Sequence, residues 1–373
     1  MMSNVDTTTK AAPSTTVMLP MAGSSGSRPD AGRPLEVNNN SCCSGIAGNT
    51  GDITHISTSL SFQDTLGAWK ARWGIRRMEY KIEPGLYAAG KPDHNSPVLV
   101  SCNYKLTFDM LRKNLADMDC WLLILDTNGV NVWCAAGKGT FGTQELVNRL
   151  KAVGLPGIIA HRELILPQLG ASGVNAHEVR RQTGFTVIYG PVRASDIRSF
   201  ISSGYKASKE MRRVKFTLLD RLVLTPIELV EAAKKSLLVF GVLFLLNLFA
   251  PQPFDVYDLI IYVGAITVGA FLTPLLLPLV PGRAFSWKGW ILGLIWTGFA
   301  LWLFGWYAAG SLLLAAGYLL LLPAVSAYLA LNFTGCSTFT SPSGVLKEMR
   351  IALPLIIGAS VIGAVLVLIS KLI

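Results

Sequence analysis

The chain has 373 residues, 51% of them hydrophobic and only 15% charged, with a mean hydropathy of +0.44. That is too apolar for one soluble globular domain of this length, and the apolar excess lies in the C-terminal part. The net charge of +10 fits membrane topology better than nucleic-acid binding, because no aromatic–basic nucleic-acid motif occurs.

Residues 1–59 are rich in Ser, Thr, Asn, Gly and Pro and have no apolar period, which predicts a disordered tail. No signal peptide is expected, since the apolar piece Val17–Gly23 is short and broken by Pro20. Cys42 and Cys43 are neighbours in this tail and read as solvated thiols.

Residues 60–205 read as a soluble α/β domain. Strands are predicted at Pro97–Ser101, Trp121–Thr127, Arg162–Leu166 and Phe185–Tyr189. Helices are predicted at Phe108–Met118, Thr143–Val153, Ala176–Gln182 and Ala194–Ser203. Met110, Leu111, Leu115 and Met118 are taken as the buried face of the first helix. The alternation argues for a mainly parallel, Rossmann-like sheet. Residues 206–235 turn basic and read as an amphipathic linker entering a membrane.

The remainder is expected to be an all-α membrane domain. Five uncharged stretches, about 236–254, 259–282, 289–307, 311–331 and 351–370, are long enough to span, with a junction near Tyr307–Ser311 and bends at Pro274 and Pro278. Asp255 and Asp258 follow the first span, Arg283 and Lys288 the second, and Lys347 and Arg350 the fourth. The positive-inside rule then puts the soluble domain in the cytoplasm, the spans in the cytoplasmic membrane and Ile373 outside. No span holds an internal ionisable residue, so an anchor is expected rather than a transporter.

The stretch with chemistry is Asn131-Val132-Trp133-Cys134-Ala135-Ala136-Gly137-Lys138. An Asn128-Gly129 turn precedes it and a helix start follows, so a thiol sits in a strand–turn–helix junction, where α/β folds place ligands. Three readings compete. Cys134 can be a small core residue. Gly137-Lys138-Gly139-Thr140-Phe141-Gly142 matches a dinucleotide loop, with Glu163 about 20 residues on as the ribose acid. Or Cys134 is a metal-ligating thiolate. Gly170-Ala171-Ser172-Gly173 is either a second loop open to a flat cofactor or an ordinary turn. His161 and His177 have no triad or metal spacing; His177 is kept because it lies near that loop. The six cysteines contain no C-x-x-C, so no zinc site or iron–sulfur cluster is encoded. The D-x-H-x-x-G pattern of histidine-ligated cobalamin domains is also missing, since His94 follows Asp93 directly.

The run Asn131–Lys138 resembles the signature of the HgcA family, the corrinoid proteins of microbial mercury methylation. The flanks Asn103–Asp109 and Leu166–Val174 are similar to the corrinoid-binding domain of the acetyl-CoA-pathway corrinoid iron–sulfur protein. The resemblance covers roughly Leu60 to Tyr205, and the membrane tail fits it. It implies a corrinoid-binding domain in which Asn131–Lys138 form a cap helix under the corrinoid, with Cys134 as catalytic residue and lower axial ligand of cobalt. Thr107, Gly170, Ala171 and Gly173 join Asn131, Val132, Trp133, Ala135, Ala136, Gly137 and Lys138 as implied cofactor contacts. Trp133 is expected to pack the junction, Asn131 to fix the cap, and Ala135 and Gly137 to leave space beside the ring. The implied activity is methyl transfer from methylcorrinoid to Hg(II). Implied partners are a ferredoxin-like iron–sulfur donor (HgcB in that family) and a methyltransferase using a folate or pterin. The alternatives are a methyl carrier of one-carbon metabolism with another acceptor, and a membrane sensor with a dinucleotide-binding domain.

Overall fold

The computed structural model describes residues 53–373 apart from 252, 306–311, 338 and 340–341. The tail up to residue 52, with Cys42 and Cys43, and the junction expected at Tyr307–Ser311 lie outside the described residues.

A six-stranded mixed sheet forms the first part, in the order β1 (Thr54–Ile56), β2 (Gly85–Ala89), β4 (Cys120–Leu125), β3 (Val98–Cys102), β5 (Glu163–Leu166), β6 (Thr186–Tyr189). Only the β2–β4 pairing is antiparallel. β3 and β4 lie at the centre and every residue in them is buried, as expected for continuous apolar strands covered on both faces. Val98, Val100, Leu123 and Leu125 face one core, and Leu99, Leu122 and Ile124 face the other. The helices are α1 (Phe62–Arg72), α2 (Lys105–Lys113), α3 (Val132–Lys138), α4 (Thr143–Ala152), α5 (Ala176–Thr183) and α6 (Ile197–Ser202).

The mainly parallel sheet matches expectation, with three additions. β1, α1 and β2 lie where no element was predicted. Residues 53–59 are therefore part of the domain and not of a tail: the Arg112 guanidinium donates to the carbonyls of Ser57 (2.6 Å) and Ser59 (2.8 Å). α1 opens on a reciprocal cap between Ser61 and Asp64. α2 starts three residues earlier than predicted and ends at Lys113, and Met110 is exposed while Leu111 and Leu115 are buried. Asp64 joins α1 to α2 through Lys105 (2.6 Å) and Arg112 (2.7 Å), and Asp109 binds the same two cations. Burial opposes the charge on Asp64, but Lys105, Ser61 and Arg112 outweigh it and hold the carboxyl well below the usual carboxylate range.

The second part is helical. α7 (Leu218–Asn247) is one helix of 30 residues that absorbs most of the expected linker and the start of the expected first span. It is followed by α8 (Val256–Thr267), a π turn Val268–Leu272, α9 (Thr273–Leu276), α10 (Phe285–Phe304), α11 (Leu312–Asn332) and α12 (Pro342–Leu372). Among the described residues, four helical stretches are long and apolar enough to cross a membrane: Val256–Leu276, Phe285–Phe304, Leu312–Gly335 and Ser343–Leu372. α7 is not among them, because Glu231, Lys234 and Lys235 interrupt its apolar part. The expected span 236–254 is helical only as far as Asn247 and Leu248. The π turn precedes Pro274, and the Val268 carbonyl accepts both the Thr273 N–H and the Thr273 hydroxyl, the latter at 2.8 Å. Asp258 and Lys371, placed just outside the expected spans, are buried and paired at 2.8 Å, with the Tyr318 hydroxyl donating to Asp258 at 2.6 Å.

Candidate functional site

Asn103 organises the approach to the cysteine helix. It is 1% exposed at the end of β3, and its side-chain oxygen accepts from the Thr127 N–H (3.1 Å), the Thr127 hydroxyl (2.9 Å) and the Gly129 N–H (3.0 Å). Its amide donates to Asp126 at 3.0 Å. Four bonds from one buried amide fix the Asn128–Gly129 turn, whose two residues have φ of 55° and 71°. The turn feeds a helix. Asn103 stands in the flank Asn103–Asp109, and its place as a polar residue directly after a buried strand is the signal for this role.

α3 then lies across the carboxyl edge of the sheet. Its N-cap is Asn131, whose side-chain oxygen accepts from the Cys134 N–H at 2.9 Å. Its first residue, Val132, offers backbone to the buried Cys102 thiol at the end of β3. Its far end reaches the loop after β5: a Cβ on Gly173 would stand 2.2 Å from the Phe141 carbonyl and 3.0 Å from Ala136 Cα. A Cβ on Gly170 would stand 2.5 Å from the Phe141 ring. Gly173 thus allows close backbone packing of the loop on α3 and the segment after it, Gly170 makes room for the Phe141 ring, and Ala171 is half-buried between them.

The helix has two faces. Val132, Ala135 and Ala136 are buried in the core. Trp133, Gly137 and Lys138 are exposed and Cys134 is half-buried on the outer face. Trp133, at 39% exposure, therefore offers an open indole and does not pack the junction. Ala135, fully buried, leaves no space above the helix; Gly137 does, with no atom within 4 Å of where its Cβ would be. Thr107 is half-buried in α2 and its hydroxyl faces the Cys102 thiol beneath α3.

The thiols differ in setting. Burial pushes the Cys102 thiol up, and burial with the Asp119 charge pushes Cys120 up to about 12. Both are sealed; Cys134 is not. Among the described residues no three His, Cys, Asp or Glu side chains converge. A metal at Cys134 would thus take one soft ligand from this chain and the others from its own macrocycle. The Cys134 thiol, the bare Gly137 and the Trp133 indole lie together on the outer face that such a group would meet. A cavity of about 520 Å³ lies elsewhere, between α7, α8, α11 and α12.

The dinucleotide reading does not survive the geometry. Gly137 lies inside α3, Gly139 ends it with φ of 80°, and Gly142 precedes α4, so the three glycines do not form one phosphate turn. Glu163 opens β5 and so lies at the opposite edge of the sheet. His161 is structural: its Nε2 hydrogen-bonds with the Ser96 carbonyl at 3.0 Å and its Nδ1 accepts from the Glu163 N–H. His177 is exposed on α5.

Residues 76–201 match the family of the CO dehydrogenase/acetyl-CoA synthase delta subunit. The match covers β2 to α6 and ends before α7. The chain is 35% identical over 127 residues to the acetyl-CoA decarbonylase/synthase complex subunit gamma of Methanopyrus kandleri, covering 34% of this chain and 27% of that protein. It is 32% identical over 139 residues to the same subunit of Methanocaldococcus jannaschii, covering 36% and 28%. It is 31% identical over 122 residues to the corrinoid/iron-sulfur protein large subunit of Moorella thermoacetica, covering 32% and 27%. The chain thus spans just over a quarter of the length of these curated relatives.

Proposed function

We propose that this chain is a membrane-anchored corrinoid protein that transfers a methyl group to Hg(II). The observation that carries the reading is Cys134 on the open face of α3, in a domain similar to the large subunit of a corrinoid/iron-sulfur protein. The mercury-specific part rests on the uninterrupted resemblance of Asn131–Lys138 to the HgcA signature. A methylated corrinoid, when bound, supplies the transferable methyl and the cobalt that releases it. The chain supplies the setting. Cys134 would hold the cobalt through a soft, electron-donating thiolate. Asn131 fixes the first turn of α3 and so the thiol position. Gly137 keeps the space beside the sulfur clear, and Trp133 offers an indole to the edge of a flat ring. The reducing equivalents for turnover come from a separate iron–sulfur protein, since the sequence has no C-x-x-C, and the methyl from a separate methyltransferase.

A second reading is favoured by the names of the relatives: a methyl carrier of one-carbon metabolism with an acceptor other than mercury. The test begins with the visible spectrum of the purified chain loaded with corrinoid. A cobalt–thiolate spectrum lost in Cys134→Ala supports a corrinoid held by that thiolate; an unchanged spectrum in that variant removes Cys134 as its ligand, and failure of the chain to retain corrinoid removes the corrinoid assignment. Single-turnover transfer to Hg(II) then separates the two acceptors.

A further inference from the structure

Behind the Asn128–Gly129 turn, two buried hydrogen-bond donors have no acceptor. The Tyr104 hydroxyl, on a residue only 3% exposed, and Nε of Arg72 are both buried without a partner among the described residues. Buried polar groups are nearly always satisfied, and two orphaned donors together call for an acceptor from outside the chain. The surroundings are cationic. The Arg77 guanidinium stands 5.6 Å from the centroid of the Tyr104 ring. Burial pushes the Tyr104 hydroxyl up overall, yet the charges of both Arg77 and Arg72 act on it in the opposite sense. Among the described residues neither arginine has a carboxylate partner: Asp64 is held by Lys105 and Arg112, and Glu79 by Arg76. Arg77 reaches only the Ala71 carbonyl, at 3.5 Å. Lys81 pairs through its backbone with Tyr104 and packs its side-chain carbons on Gly129, adding a third cation to this edge.

We propose that Arg72, Arg77 and Tyr104 form a binding site for a phosphate-type oxyanion. Two forked guanidiniums and a phenol hydroxyl match a tetrahedral group with several acceptor oxygens. The site's position gives two sources for that group. Tyr104 lies two residues beyond Cys102, whose thiol meets the start of α3, so the phosphate in the nucleotide tail of a corrinoid held at α3 would be one source. A Cβ on Gly74, between the two arginines, would stand 3.8 Å from the Ile227 side chain of α7, so the phosphodiester of a lipid beside α7 is the other. Only the first source rests on the proposed function.

The test uses the full chain in dodecyl maltoside and measures equilibrium dialysis of radiolabelled inorganic phosphate together with the melting temperature. Wild type should bind phosphate and melt at higher temperature in its presence. Arg77→Gln should bind at least about tenfold more weakly, the loss expected for one charged hydrogen-bonding partner. Tyr104→Phe removes an orphaned donor, so without phosphate it should melt no lower than wild type, while its phosphate affinity falls. That crossing of signs is not produced by a purely structural tyrosine. Cobalamin, which carries the nucleotide phosphate, against cobinamide, which lacks it, tests the first source: Arg77→Gln should lose affinity for cobalamin alone. Nanodiscs of phosphatidylglycerol against nanodiscs of digalactosyldiacylglycerol, which carries no phosphate, test the second: Arg77→Gln should weaken association with the first alone. Absence of phosphate binding in wild type, or binding unchanged in both variants, overturns the site, and either result leaves the spectrum of a thiolate-bound corrinoid free to stand or fall separately.

Discussion

Cys134 differs from Cys102 and Cys120 in what surrounds it, and this difference is measurable before any cofactor is added. With Cys42, Cys43 and Cys336 replaced by Ser, a thiol reagent at pH 8 should label one site rapidly, and Cys134→Ala should abolish that labelling. Cys102 and Cys120 should stay silent, because their pKa values are raised by burial and the thiolate is the reactive form. Rapid labelling of a second thiol would contradict the sealed core. With corrinoid bound, Cys134→Ala should lower the single-turnover rate to Hg(II) by roughly 10- to 100-fold while cofactor binding weakens less, since ring and tail contacts remain. Cys134→His should restore ligation without the full rate, imidazole being a neutral and weaker donor than thiolate. A native rate in Cys134→Ala would reduce Cys134 to a packing residue. Of this residue-scale picture, the part Asn131 plays in fixing the helix was implied by the resemblance alone. The outward face of Trp133 was not legible, because the orientation of a seven-residue helix depends on the loop after β5 that it leans on.

At the scale of elements, α3 is held by a cap at one end and by bare backbone at the other. Asn131→Ala should cost about 1 kcal/mol in chemical unfolding of the domain, the usual loss for an N-cap. Gly173→Ala should cost more, about 2–3 kcal/mol, because the new methyl meets the Phe141 carbonyl and Ala136, both backbone-anchored. Equal, small effects would mean that the loop yields freely. The α1–α2 ion network gives a pH signature. The Asp64 carboxyl is held below its ordinary value of 3.8, so its contribution is fully present above about pH 4 and is lost as pH falls through the lower folded-state value. Asp64→Asn should therefore destabilise the domain at pH 7 and flatten its acid unfolding; an unchanged acid limb would remove Asp64 from the network. β3 to β6 were legible because their apolar runs are long and bounded by turns. β2, Gly85-Leu86-Tyr87-Ala88-Ala89, has no β-branched residue, and β1 has three residues in a Ser- and Thr-rich stretch. Both are strands by virtue of pairing with β4 and with each other, which local pattern does not encode.

On the scale of the whole molecule, the question is whether α7 makes a fifth traverse beside the four helices that are apolar enough to span. Two contacts mark the ends of the helical bundle. The Arg221 guanidinium, near the start of α7, donates to the Leu275 carbonyl at 3.2 Å, and Lys371, at the end of α12, pairs with Asp258 at the start of α8. α7 and α8–α9 are therefore antiparallel neighbours, with Ala232 packed against Ile266 and Ala270. α7 is about 45 Å long at 1.5 Å per residue, more than the roughly 30 Å of a hydrocarbon core. Its Glu231–Lys234 pair, at 3.0 Å, and the long stem of Lys235 can reach toward one interface while residues 236–247 remain apolar. Arg221, Arg283, Lys347 and Arg350 then fall at the end nearer the α/β domain, joined by the Ser286–Glu348 contact, while Asp255 and Asp258 fall at the other. Five traverses place Ile373 on the side opposite the α/β domain; four place it on the same side. A reporter active only in the cytoplasm, fused after Ile373, should be inactive while the same reporter fused after Gly204 is active. Activity at both positions would mean that α7 lies along the membrane surface and that the apolar residues 236–247 do not cross.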